Sequence, residues 1–324
     1  MSDVITTRGL RKSFRSRTGP VEAVRGVDLN VGRGEIFGFL GPNGAGKTTT
    51  LRMLTTLLPI DDGSATVAGF DVAREPHQVR SHIGYVSQLG GTDLLATGRE
   101  NLVLQGKLYS TDNARVARRS AELIELLDLG EFADRKAKTY SGGQRRRLDI
   151  AMGLIHEPEV LFLDEPTTGL DPQNRANMWD QVRTLRDLGT TVFLTTHYLE
   201  EADALSDRLV IMDHGTIIVQ GTPKELKQKV AGESVTIGME NAAEAERVAA
   251  LLQSEAFVKG TGTEHDHIRL YVDEGSTALP AILRRLDEAG IVVRSITMSR
   301  PSLDDVFLMQ TGRSLRDTAE GGAQ

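Results

Sequence analysis

The chain has no cysteine, which excludes disulfide staples and thiolate metal centres and fits a reducing compartment. It also has no apolar run approaching the ~20 residues that a membrane-spanning helix needs, so it does not cross a bilayer unaided. The opening MSDVITTRGLRKSF mixes charges from its third residue and lacks the apolar core of a secretory signal, so a cytoplasmic chain is expected. Basic excess is missing as well. A net charge of −7 and a pI near 5.6 leave no overall footprint for nucleic acid, and none is expected as a partner. What remains is ordinary for a water-soluble protein, with 39% hydrophobic and 26% charged residues. Its 324 residues exceed the usual single-domain size, so two cores are expected.

Along the chain, 4–31 is β-rich and punctuated by glycine, with RKSFRSRTGP as an exposed turn. EIFGFL, residues 35–40, reads as a buried strand running directly into a glycine loop and a helix. Strands are expected at 64–68 and 83–87, mostly helix over 100–127, and a helix after Ser141. A buried strand at 160–163, a helix near 173–188 and a buried strand at 191–195 follow. This alternation implies a largely parallel sheet in an α/β domain. A hairpin across DHG and a helix beginning at TPKEL close that domain at about residue 230. Residues 231–312 read as β, α, β, β, α, β, the order of a ferredoxin-like α+β unit, followed by a short helix capped by Ser302 with Asp305 at the capping-box position. The polar remainder, 313–324, reads as a frayed tail.

GPNGAGKT, Gly41 to Thr48, fits G-x-x-x-x-G-K-[ST], and both required neighbours, a buried strand before it and a helix after it, are expected. Glycine lets backbone N–H groups turn inward on phosphates, and the helix N-terminus adds a positive dipole end. In this reading Gly41, Pro42, Asn43, Gly44, Ala45, Gly46, Lys47, Thr48 and Thr49 hold the nucleotide. Lys47 supplies charge to the β- and γ-phosphates, and Thr48 offers its hydroxyl to Mg²⁺. VLFLDEP places Asp164 and Glu165 at the end of an apolar strand. Asp164 suits the Mg²⁺ shell, and Glu165 can orient or deprotonate an attacking water.

A second glycine-rich stretch, YSGGQ at Tyr140 to Gln144, carries the recognition. With it the chain over 4–230 resembles the ATP-binding subunit of an ATP-binding-cassette (ABC) transporter. The resemblance implies an ABC-type P-loop NTPase: a RecA-like core, an antiparallel β-subdomain and a helical signature subdomain, with ATP and Mg²⁺ as ligands. It also implies that two copies pack head to tail, so that Ser141, Gly142, Gly143 and Gln144 of one chain meet the nucleotide held by Gly41 to Thr49 of the other. Physically, Ser141 would cap the following helix and present N–H groups to an anion. Tyr140 stands where the family usually has leucine, and an apolar contact surface is expected there. Gln88 corresponds to the glutamine that contacts Mg²⁺ and water beside the docking point of the membrane subunit. Asp171, in TGLDP, corresponds to the loop that crosses the dimer interface. His197 corresponds to the histidine that senses the γ-phosphate, and Phe14 to an aromatic stacked on adenine, although packing under the β-subdomain is an equal alternative for it.

KTYSGGQRRRLDIA, LDEPTTGLDP and a C-terminal SLDDVFL after a small α/β extension are together similar to daunorubicin/doxorubicin-resistance type ABC ATP-binding proteins of actinobacteria. That resemblance implies an ATPase on the cytoplasmic face of the membrane, paired with separately encoded integral-membrane permease subunits and driving export of hydrophobic drugs. Lipid or metabolite export is the alternative, followed by a soluble ABC ATPase without a transport role. The extension carries no catalytic constellation and reads as a dimerisation or regulatory module. Two further clusters are set aside. Arg145 to Arg147 read as a solvated helix face or a partner contact. His265 and His267 lack a third metal ligand and read as a polar hairpin edge.

Overall fold

Three largely apolar or β-branched runs, IFGFL, VLFLD and TVFLTT, form the centre of the larger sheet in a computed structural model that describes residues 3–16, 19–110, 112–229, 233–299 and 301–312. The backbone packs as two units, the first ending at Pro223 and the second beginning at Lys224. This division and the expected boundary near 230 differ by one short helix. The expected tail, 313–324, lies outside the described residues.

In chain order the first unit contains β1 (Asp3–Ser16), β2 (Gly19–Gly32), β3 (Ile36–Leu40), α1 (Lys47–Leu54), β4 (Asp62–Val67), β5 (Phe70–Asp71), α2 (Pro76–His82) and β6 (Ile83–Val86). It continues with α3 (Gly98–Tyr109), α4 (Asn113–Leu126), α5 (Gly142–Leu154), β7 (Val160–Asp164), α6 (Pro172–Asp187), β8 (Thr191–Thr196), α7 (Leu199–Leu205), β9 (Arg208–Asp213) and β10 (Thr216–Gly221). After α8 (Pro223–Lys229), which straddles the division, come β11 (Glu233–Gly238), α9 (Ala242–Leu252), β12 (Val258–Glu264), β13 (His267–Val272), α10 (Gly275–Glu288), β14 (Ser295–Ser299) and α11 (Leu303–Thr311).

The six-stranded sheet has the order β10-β9-β3-β8-β7-β6, parallel throughout except for the β9–β10 hairpin. Every residue of β3, β7 and β8 is buried, as expected of parallel strands covered on both faces. Phe193 packs against Phe37, Phe39 and Phe162 with ring centroids 5.3–5.6 Å apart, a cluster that ties the three strands together. Register then decides where the chemistry goes. Leu40 pairs with Thr196 and Asp164 with Thr195, so these strands end level with one another. Ligands of open α/β sheets bind outside such carboxyl ends.

A second, antiparallel sheet has the order β2-β1-β4-β5, with Phe14 near the far end of β1 opposite Val21. In the α3–α5 region Leu102, Leu123, Leu127 and Leu148 are buried in one core with Leu161, Leu163 and Leu194 of the larger sheet. In the second unit the sheet order is β12-β13-β11-β14, antiparallel throughout, with the first and third strands central, which is the ferredoxin-like arrangement. Val235, Ile237, Ile268 and Leu270 meet Val248 of α9 and Ile282 of α10 in a separate core. The β12–β13 turn falls at His265 and Asp266. Ser302 caps α11, accepting from the Asp305 N–H while the Asp305 carboxylate accepts from the Ser302 N–H.

Phe193→Ala should lower the stability of the first unit by about 3–5 kcal/mol. The chain's single tryptophan, Trp179 on α6, reports that unit's urea transition by fluorescence. A midpoint unchanged from wild type would mean that the aromatic cluster does not hold the strands together.

Candidate functional site

The glycine loop leaves β3 at Gly41, where a Cβ would lie 2.2 Å from the Met212 carbonyl oxygen, so no larger residue fits. It enters α1 through Gly46, whose φ of 105° lies in the left-handed region and whose added Cβ would sit 2.4 Å from the Ala23 carbonyl oxygen. No side chain caps α1. Its first-turn N–H groups therefore keep the orphan donors that suit a phosphate. Ala45 is buried in the loop and holds it to the β9–β10 turn by accepting from the Gly215 N–H at 3.0 Å. Lys47, 4% exposed, donates from Nζ to the carbonyl oxygens of Gly41 (2.7 Å) and Pro42 (3.0 Å) and lies 3.7 Å from Glu165 Oε1. Burial pulls its pKa down, against the opposing pull of Glu165 and Asp164.

Asp164 closes β7. Its Oδ1 accepts from Thr195 Oγ1 (2.7 Å) and Thr48 Oγ1 (3.1 Å), so three elements converge on one carboxylate oxygen. Thr48 and Asp164 present hard oxygen donors side by side, a set that fits Mg²⁺ completed by substrate phosphates better than a soft metal.

Glu165 takes a φ of 46°, left-handed for a non-glycine residue, a conformation costing on the order of 1–3 kcal/mol. Its N–H, bifurcated to the carbonyl and hydroxyl oxygens of Thr195, holds the turn. The turn aims the carboxylate at a ring of donors. Oε2 accepts from Gln88 Nε2 (3.1 Å) and Thr168 Oγ1 (3.2 Å), and His197 Nδ1 stands 3.2 Å away. The His197 contact falls outside strict hydrogen-bond geometry. Burial pushes the Glu165 pKa up, but His197, Lys47 and Thr168 outweigh it, and the net shift is downward.

A cleft of about 720 Å³ opens over this group. Asn43, Gly44, Gly46, Lys47, Thr48 and Thr49 form one side, Gln88, Glu165 and His197 another, and Phe14 stands at the margin. Phe14 is 40% exposed, with Lys12 Nζ 5.8 Å from its ring centre, so its face is available for stacking rather than packed beneath the sheet.

The remaining sequence-expected residues gather elsewhere. Ser141 caps α5 in a closed capping box, accepting from the Gln144 N–H (3.2 Å) while Gln144 Oε1 accepts from the Ser141 N–H (3.0 Å). Asp171 caps α6, accepting from the Asn174 N–H at 2.9 Å. The two caps share a surface: a Cβ on Gly143 would lie 2.6 Å from Asn174 Oδ1, and one on Gly142 3.7 Å from a Leu170 methyl. Neither Ser141 to Gln144 nor Asp171 lines the cleft of their own chain.

Two expectations are overturned. Tyr140 offers no contact surface. It is 6% exposed, its hydroxyl donates to the Phe132 carbonyl oxygen (2.6 Å), and its ring stands edge-on to Phe132. The arginine triplet is not a solvated face either. Arg146 is buried and donates to the carbonyl oxygens of Ser87 (2.6 Å), Pro166 (2.9 Å) and Asp164 (3.0 Å). Burial lowers its pKa, opposed by Asp149, Asp164 and Glu201. Thr168 and Thr195 were also missed, since single threonines around a strand carry no signal in the sequence.

Comparisons with known proteins place this geometry. The ABC transporter family model matches residues 24–168, and the model for the C-terminal domain of DrrA1-3-like ATP-binding proteins matches 221–311. The chain is 46% identical over 325 residues to the daunorubicin/doxorubicin resistance ATP-binding protein DrrA of Streptomyces peucetius, covering 98% of this chain and 96% of that protein. It is 45% identical over 308 residues to the daunorubicin resistance ATP-binding protein DrrA2 of Streptomyces coeruleorubidus, covering 95% and 96%. Among solved structures, a bacterial ABC transporter cassette determined as a dimer superposes with a TM-score of 0.62 at 25% identity, over 67% of this chain and 98% of that one.

The lowered pKa of Glu165 gives a pH prediction with a definite sign. A carboxylate stabilised by folding contributes its full share above its unfolded pKa, 4.5, and loses it as pH falls through the lower folded value. The stability gap between wild type and Glu165→Gln should therefore narrow in urea titrations as pH drops from 6 to below about 4. A gap that widens on acidification would reverse the assigned shift.

Proposed function

The chain belongs to the ABC transporter family of ATP-binding proteins, and from that membership we propose that it powers the efflux of hydrophobic, anthracycline-like drugs through separate membrane subunits. As a family member it is an α/β cassette that binds and hydrolyses ATP. The cargo class rests on the full-length similarity to the two Streptomyces resistance proteins. The observation that carries the catalytic reading is the meeting of Gln88, Thr168, His197 and Lys47 on the one carboxylate of Glu165, beside the glycine loop.

In this reading Phe14 stacks on adenine, and the N–H groups of Gly41 to Thr49 and the Lys47 ammonium hold the phosphates. Thr48, Asp164 and Gln88 hold Mg²⁺, which supplies neutralisation of the β- and γ-phosphate charge. Glu165 Oε2 orients the attacking water and takes up its proton. The water oxygen bonds to the γ-phosphorus as the bond from that phosphorus to the β-phosphate oxygen breaks, so ADP leaves and inorganic phosphate is formed. His197, already 3.2 Å from that carboxylate, reports the γ-phosphate to it. Residues 1–230 act as the cassette, and a second copy supplies Ser141 to Gln144 and Asp171 to complete each site. Residues 231–312 act as a dimerisation or regulatory module.

Among the described residues no helix is long and apolar enough to cross a membrane, and in this reading separate membrane subunits carry the cargo. A docking face for them is supported next to Gln88. Leu89, the next residue, is 97% exposed, and a 340 Å³ groove lined by Ser87, Gly90, Tyr109 and His156 opens beside it. Docking would hold the chain peripherally at the cytoplasmic face.

Glu165→Gln should retain ATP binding and lose on the order of 10²–10⁴ in kcat, whereas Lys47→Ala should weaken ATP binding itself. Phosphate release and fluorescent-nucleotide titration separate the two. Wild-type turnover by Glu165→Gln would remove Glu165 from the chemistry. For the cargo, ATPase activity of the chain reconstituted in lipid with its membrane subunit should rise on adding an anthracycline. Turnover that depends on the membrane subunit but ignores the drug would overturn the drug reading and leave the transporter.

A further inference from the structure

The buried Arg146 joins parts of the molecule that the catalytic reading leaves separate. It lies on α5, five residues after Ser141 at the head of that helix. Its Nη1 donates to the carbonyl oxygen of Ser87, the residue before Gln88. Its Nη2 and Nε donate to the carbonyl oxygens of Asp164 and Pro166, the residues on either side of Glu165. One guanidinium therefore grips the backbone next to both members of the Gln88–Glu165 pair. One turn further along α5, Asp149 holds the far end of the Gln88 loop. Its Oδ1 accepts from the N–H groups of Gly91 (2.9 Å) and Thr92 (3.1 Å) and from Thr92 Oγ1 (2.7 Å). A Cβ on Gly90 would fall 2.5 Å from Asp149 Oδ2, so loop and helix are in direct contact. Loop 87–92 is thus pinned to α5 at both ends.

Only arginine suits this position. Its planar fork reaches three carbonyl oxygens at fixed angles, whereas the single ammonium of lysine cannot span them. A buried cation among backbone acceptors, with Asp149 and Asp164 near it, has its charge compensated in place.

We propose that Arg146 is a positioning residue that couples the two faces of the cassette: movement of α5 as Ser141 engages the partner copy's nucleotide is passed, through backbone, to the Gln88–Glu165 pair in the chain's own cleft. The proposal rests on the ATPase reading above. It makes each cleft competent only when the same chain's signature is engaged, with no contact between Arg146 and either nucleotide.

The test uses the full-length chain with Arg146→Met, Arg146→Lys, Gln88→Ala, the Arg146→Met/Gln88→Ala pair and Glu165→Gln. In Arg146→Met and Arg146→Lys, affinity for a fluorescent ATP analogue and the KM for ATP should stay near wild type. Displacement of the pair should cost kcat on the order of a hundredfold in Arg146→Met and about tenfold in Arg146→Lys. Because both residues act through one path, the double variant should be no slower than the slower single one. Wild-type kcat in Arg146→Met overturns the proposal, as does a double variant whose losses multiply, since Arg146 would then act independently of Gln88. If Arg146→Met does not fold, Arg146→Lys carries the test, because it keeps the charge and most of the volume, and a wild-type kcat there overturns the proposal equally. Glu165→Gln separates the two levels. If it is inactive while Arg146→Met is normal, only the coupling fails. If it turns over at the wild-type rate, the ATPase assignment beneath the proposal fails.

Discussion

Two carboxylates side by side at the end of a fully buried strand are the constraint on which the rest of this structure depends. Asp164 and Glu165 are 2% and 9% exposed, and removing such groups from water is tolerable only when donors and cations are delivered to them. Those donors come from β8 through Thr195, from α1 through Lys47 and Thr48, from the end of β6 through Gln88, and from the end of β8 through His197. The level register of β3, β7 and β8 brings all of them to one edge. The left-handed turn at Glu165 stores strain at the point where a reacting water would be held.

The second glycine-rich motif, at Tyr140 to Gln144, is arranged in the opposite way. Ser141 and Asp171 satisfy their own helix ends in closed caps and spend nothing on the chain's own cleft. Gly142 and Gly143 keep that surface flush against the start of α6, where a side chain on Gly143 would collide with Asn174. A capped, glycine-smoothed helix N-terminus that does not line its own chain's cleft fits the proposed site completed by a second copy. About one and a half turns along the same helix, the buried Arg146 holds the backbone on either side of Glu165.

The geometry of the candidate site was legible in the sequence wherever local spacing decides it. A glycine loop between a buried strand and a helix can only be built one way, and an Asp-Glu pair after VLFL must emerge at a strand end. The ferredoxin-like order of the second unit followed from alternating periodicity, and Ser302 with Asp305 from cap chemistry. Arg146 was not legible, because three successive arginines on a helix point in three directions and only tertiary packing decides which one is buried. Tyr140 misled for a related reason: position in a motif says nothing about which way a ring turns, and its hydroxyl found the Phe132 carbonyl inside the helical region. Thr195 and Thr168 are invisible for want of pattern. Thr195 has its role only because β7 and β8 pair in one register, and Thr168 only because the turn after Glu165 folds back on it.

The absence of native cysteine makes the central claim, that each cleft is completed by the partner's signature, directly measurable by cross-linking. One chain would carry Asn43→Cys in the glycine loop and a second Ser141→Cys at the head of α5, each in the Glu165→Gln background. Mixed with ATP and a mild oxidant, the two should form a disulfide-linked species at twice the 35.3 kDa monomer mass, in the mixture and not with either chain alone. A mixture that remains monomeric on a non-reducing gel at saturating ATP would contradict the account.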